Sequence, residues 1–151
     1  MATTYRIKRR VLAGQRFDSN VWYSKDTFRS AAEDFLKKSI NSRLFTLSPA
    51  DECMAEGFLC ANLNDAIGYV IDIDDYSITV SIRDDEYLSP ACLMVKHMIE
   101  KGMIVTKTRG ILKSYDTKTR EIDDMKIICF EAVPDINYEK EVGNNLSLIH
   151  I

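Results

Sequence analysis

Histidine is the scarcest of the catalytic residue types here: the 151 residues contain two, with three prolines and one tryptophan. Serine-histidine nucleophiles and histidine-based metal sites therefore have little to draw on. The six glycines include Gly57, Gly68, Gly102 and Gly110, each isolated, so no glycine-rich phosphate loop exists and P-loop nucleotide hydrolysis is excluded. Four cysteines, Cys53, Cys60, Cys92 and Cys129, form no C-x-x-C pair of the kind that holds zinc or carries redox chemistry, and reduced, partly buried thiols are expected. No apolar run approaches the roughly 18 residues of a membrane span. The start, Met1 to Arg6, has charge but no apolar stretch behind it, so no signal peptide is read and a cytoplasmic protein is expected.

What is present fits one globular domain over residues 1–145, with 46% hydrophobic and 28% charged residues. The net charge of −3 hides a strong asymmetry. Residues 1–43 hold 10 Lys/Arg against 4 Asp/Glu, a net +6, whereas residues 44–95 hold 1 against 10, a net −9. Such a split either balances inside the fold or leaves complementary patches that favour a homo-oligomer. The last six residues, Leu146 to Ile151, resemble the translation of a transposon mosaic-end adapter used to build sequencing libraries. On that reading 146–151 is a scar, the natural C-terminus is lost after about Asn145, and His97 is the one native histidine; the alternative is a genuine apolar terminal strand.

Alternation over Tyr5 to Ala13 predicts a strand with Arg6, Lys8 and Arg10 on one face and Tyr5, Ile7, Arg9 and Val11 on the other. Val21 to Tyr23 predicts a second short strand, and Ser24 an N-cap for a helix from Lys25 to Ile40 with Phe28, Ala31, Ala32, Phe35, Leu36 and Ile40 inward. Arg43 to Leu47 reads as a strand, Ser48 to Glu56 as a loop, and Gly57 to Asn64 is ambiguous. Ala66–Asp74 and Tyr76–Ile82 read as a hairpin with Ile71, Ile73, Ile78, Val80 and Ile82 facing the core. Ser89-Pro90 opens a second helix that Gly102 ends, with Ala91, Met94, Val95 and Met98 as its apolar stripe. Met103–Thr108, Gly110–Tyr115 and Met125–Val133 read as three further strands, with Asp116–Arg120 as a hairpin loop. The expected fold is α+β: a bent, mainly antiparallel sheet or partial β-barrel with two helices.

Several constellations offer residue types with chemistry. Asp72 and Asp74 alternate on one strand and offer hard oxygen ligands for magnesium, but acidic residues at a hairpin end are ordinary solvated groups, and no metal site is assigned. Cys92 and His97 lie five apart on one helix, about 140° apart in direction, so they form no dyad. His97, between Lys96 and Met98 and off the apolar stripe, reads as a surface residue. No catalytic residue and no cofactor is assigned. Trp22 and Tyr23 beside the basic strand, with Lys107 and Arg109, are the residue types that stack a base and grip phosphate, and they are the candidate ligand-binding set. Long duplex DNA is disfavoured for a net acidic chain without a recognition-helix pattern.

Asn20 to Tyr23 followed by Lys25 and the Ala31–Leu36 helix, Ala66 to Val70, Glu100 to Met103, Thr108-Arg109-Gly110 and Phe130 to Pro134 together resemble tailed-phage prohead proteases over roughly residues 20–135. The resemblance implies a bent β-barrel fold and a homo-oligomeric part in capsid assembly. In that family a histidine before a proline works with a serine near an S-R-G element. Here the first place reads Leu47-Ser48-Pro49 and the second Val105 to Gly110 with threonines, which implies a noncatalytic relative. The expectation is a phage-type binding protein that self-associates and holds a virion or host-defence partner, in one version sequestering a nucleotide-like signalling molecule. The alternatives are an enzyme, either a diverged assembly protease using Thr106 or Thr108 or a metal-dependent phosphodiester hydrolase using Asp72 and Asp74, and a structural virion assembly module.

Overall fold

The structure, a computed structural model, describes residues 3–16, 21–47 and 65–135. The expected loop at 48–56, the ambiguous 57–64, Cys53, Cys60 and the 146–151 tail lie outside them. The strands are β1 (Thr3–Lys8), β2 (Trp22–Tyr23), β3 (Leu44–Thr46), β4 (Ala66–Ile73), β5 (Ser77–Ile82), β6 (Ile104–Tyr115) and β7 (Glu121–Pro134). The helices are α1 (Lys25–Leu36) and α2 (Pro90–Glu100), with single 3-10 turns at Ile40–Ser42 and Asp85–Tyr87.

One seven-stranded sheet runs β1-β5-β4-β3-β7-β2, with β6 pairing β7. Pairing is antiparallel except where β3 and β2 lie parallel to β7. The fold is therefore α+β with a mixed, mostly antiparallel sheet that stays open and does not close into a barrel. Past the end of β1, an isolated parallel bridge between Arg9 and Thr106 brings that end of the chain back against β6, and Arg10 N–H donates to Thr106 O at 2.9 Å.

Local chemistry accounts for most boundaries. Ser24 accepts from Thr27 N at 3.2 Å to cap α1, which buries Phe28, Ala31, Ala32 and Phe35. The helix stops at Leu36, short of the expected Ile40. The Ser39 and Ser42 hydroxyls bond each other at 3.2 Å and the Arg43 guanidinium takes the Leu36 carbonyl at 3.0 Å, so the chain tightens into a 3-10 turn and leaves Ile40 exposed. Ser89 caps α2 through Cys92 N with Pro90 in the first turn. Gly102, at φ +73°, ends it: Gly102 N–H donates to Ile99 O and Met103 N–H to Met98 O, both at 3.0 Å.

Four expectations need correction. The register of β4 against β5 shifts between Val70 and Asp72, so Ile71 leaves the core and stands 39% exposed. The buried face of α2 is Cys92 and Ile99, with Val95 and Met98 packed partly against the core, while Met94 is 66% exposed. Gly110 does not divide two strands: β6 runs through it, and its missing Cβ lets the chain pass Lys126 O of β7, which an added carbon would approach to 2.5 Å. β7 likewise begins at Glu121, four residues before the expected Met125.

Candidate functional site

Alternation along β1 turns Ile7 and Arg9 inward and leaves Arg6, Lys8 and Arg10 outside, as the pattern predicts. Arg9 is a guanidinium only 5% exposed. Its carbon lies 3.5 Å from the Phe28 ring centroid, Nη2 donates to the Tyr23 hydroxyl, and Nη1 donates to Asp75 O at 2.7 Å. Its Nε is buried without a partner among the described residues. Burial lowers the Arg9 pKa, with Tyr23 and Asp75 opposing; burial likewise raises the Tyr23 phenol, with Arg9 opposing. A stacked Tyr23–Phe28 pair, 5.7 Å between centroids, completes the cluster.

Tyr23, held in this cluster, lines a cleft of about 420 Å³ together with Lys107, Thr108 and Gly110 to Leu112 of β6. Arg10, Arg16 and Lys107 line it together with the apolar Val21, Ile122 and Met125, and none of its described lining residues carries a carboxylate. Of the four residues singled out from sequence, the structure thus brings together Tyr23 and Lys107. Trp22 instead donates its indole N–H to Thr119 O at 3.0 Å, bracing the β6–β7 turn. Arg109 pairs with Glu131 at 2.8 Å. Arg10 and Arg16 take the remaining places. Arg10 was legible as part of the basic face of β1; Arg16, in a turn-rich stretch, carried no signal of its own.

The other candidates are placed as follows. Thr106 is 1% exposed, and its hydroxyl donates to Glu131 O at 3.1 Å; Thr108 is half-buried and lines the cleft. His97 is exposed on α2, with Nδ1 3.9 Å from Glu100. Asp72 is exposed. Asp74 shapes its own hairpin, accepting from Tyr76 N and Ser77 N at 2.8 Å each, and pairs with Arg6 at 2.7 Å. Burial pushes its carboxyl up, but those donors outweigh burial and hold it below the ordinary carboxylate range. Among the described residues, no three His, Cys, Asp or Glu side chains come together to hold a metal ion, and no helix is long and apolar enough to cross a membrane.

Cys92 and Cys129 are both buried, and Cys129 is a free thiol. Burial pushes the Cys129 thiol up to about 12, Arg109 opposing and Glu131 adding to it. At pH 8 that leaves about one thiolate in ten thousand. Peptide mapping after iodoacetamide treatment of the native chain at pH 8 should therefore find the Cys129 peptide unmodified, and modified once denaturant is added. Rapid native alkylation would contradict this burial.

No protein-family profile matches the chain, and no curated protein does. Among solved structures, the bacteriophage T4 capsid assembly protease, gp21, matches with a TM-score of 0.58 and 14% identity, over 85% of this chain and 80% of that one. The two share a fold. The prohead-protease resemblance read from short motifs thus holds for the architecture, and at this identity the likeness speaks of architecture alone.

Proposed function

We propose that the chain is a noncatalytic phage protein of the assembly type, which self-associates and holds a partner instead of cutting one. The observation that carries this reading is Thr106. A nucleophilic hydroxyl needs a general base within hydrogen-bond reach, and this one is buried against a main-chain carbonyl, on a chain whose stretch before the proline reads Leu47-Ser48-Pro49, with no histidine. The fold likeness favours a virion component over a host-defence component as partner. In the small-molecule version, a nucleotide-like signal is sequestered, and Tyr23 and Lys107, from the set that also includes Trp22 and Arg109, are the pair that a common cleft supports.

Intact-mass measurement of the purified chain during prolonged incubation should show no self-cleavage, with Thr106→Val and Thr108→Val identical to the parent. Self-cleavage abolished by either substitution would instead establish a diverged protease. Native mass spectrometry on the same samples should show a discrete oligomer; a bare monomer would remove self-association from the reading.

A further inference from the structure

We propose that the apolar groove along α2 is the docking site of the segment that follows Asp135 in this same chain, Ile136 to Val142. That segment lies outside the described residues, and its docking is independent of whether the chain cuts a substrate.

The helix is the first support. α2 buries Cys92 and Ile99 in the core, yet it also presents Leu93, Met94 and Met98, with Met103 just past its end, to a groove of about 540 Å³. Among the described residues Met94 is left 66% exposed. A helix that is apolar on a second face has a second neighbour to pack against, and flexible thioethers adapt to an irregular one.

The path of the chain is the second. β7 ends at Pro134, and Asp135 N–H donates to Met103 O at 2.9 Å, so the chain leaves the sheet beside a residue that lines the groove. Eleven helical residues rise about 16 Å, a distance that about five extended residues cover. Ile136 to Val142 therefore needs no linker to run the length of α2. A segment tethered this closely is present at an effective concentration on the order of millimolar, which favours it over a second copy arriving from solution.

Composition is the third. Ile136, Tyr138 and Val142 supply apolar side chains for the groove, and Glu139 and Glu141 flank Lys140 between them. The groove's own basic residues are His97 and Lys101, which complement those two carboxylates. Glu100, 3.9 Å from His97, offsets part of that charge, so burial of apolar surface is the main attraction.

Peroxide oxidation of the full chain, followed by peptide mass mapping, tests this, because a thioether is oxidised where peroxide can reach it. Met94 in the native chain should oxidise slower by about fivefold or more than in the same chain in denaturant, at a rate independent of protein concentration. The full-length double variant Ile136→Ser, Tyr138→Ser should bring the native Met94 rate close to the denatured one. Tyr76→Ser, at an exposed residue of the β4–β5 turn, should leave it unchanged. Unchanged circular dichroism confirms that the variants fold. Met94 oxidising in the native parent at its denatured rate overturns the proposal, since the groove is then open. Protection that survives the double substitution also overturns it, and if that protection falls on dilution the groove belongs to a second copy.

Discussion

Gly68→Ala is expected to destabilise the chain by about 3 kcal/mol, at the upper end of overpacking effects. Gly68 sits in β4 between Phe45 of β3 and Ile82 of β5. A carbon added there would lie 2.0 Å from Ser81 O and 2.9 Å from Ser81 C, so main chain must move. Neither side yields cheaply, because β5 is held on its far side by β1, with Ser81 opposite Thr4 and Ile82 opposite Thr3. The urea midpoint should fall by about 1.5 M for a slope of roughly 2 kcal/mol per molar. Gly14→Ala is the control: at φ +85° with nothing within 4 Å, it should cost only about 1–2 kcal/mol, from the left-handed backbone alone. A Gly68→Ala midpoint no lower than that of Gly14→Ala would refute the steric argument.

Phe130→Ala is expected to cost about 3–5 kcal/mol, a large part of the stability of an ordinary domain. Phe130 is fully buried, stands opposite Phe45 across the parallel β3–β7 pair, and meets Phe35 of α1 edge-on at 5.5 Å between centroids. It therefore joins the helix and two strands at one point, and alanine leaves a cavity that none of them can collapse into alone. Thermal unfolding should shift down by about 10 °C or more for a domain of this length, while Phe130→Leu, which keeps most of the volume, should lose less than half as much. A shift of only a few degrees for the alanine variant would show that the junction repacks.

Elements specified by neighbouring residues were legible from the chain. Ser24, Ser89-Pro90 and Gly102 mark helix ends where the structure has them, because these caps are bonds between residues three to five apart. Ala66–Ile73 and Ser77–Ile82 pair as a hairpin because the Asp74 side chain itself builds the turn. Period-two alternation likewise assigned Arg9 inward and Arg10 outward. The legible set fails where a distant strand decides. Ile71 obeys the alternation of its own strand but is displaced by the register of β5. Gly110 looks like a break and is a crossing point for the main chain of β7. The face of α2 lies one residue away from the stripe that hydrophobicity alone selects, since Cys92 and Ile99, not Met94, meet the core.

The candidate site divides in the same way. Sequence by itself determined an α+β fold with a basic, alternating first strand and the two described helices, and it supplied Tyr23 and Lys107 as residue types fit for a ligand. Tertiary structure decided which of these share a cleft. The Arg9–Thr106 bridge brings Arg10 and Lys107 to the lining of one space, while Trp22 and Arg109 are engaged by Thr119 and Glu131. Helix caps and turns depend on covalent neighbours a few bonds apart, whereas this cleft depends on pairings between residues nearly a hundred positions apart, whose register follows from packing of the whole sheet.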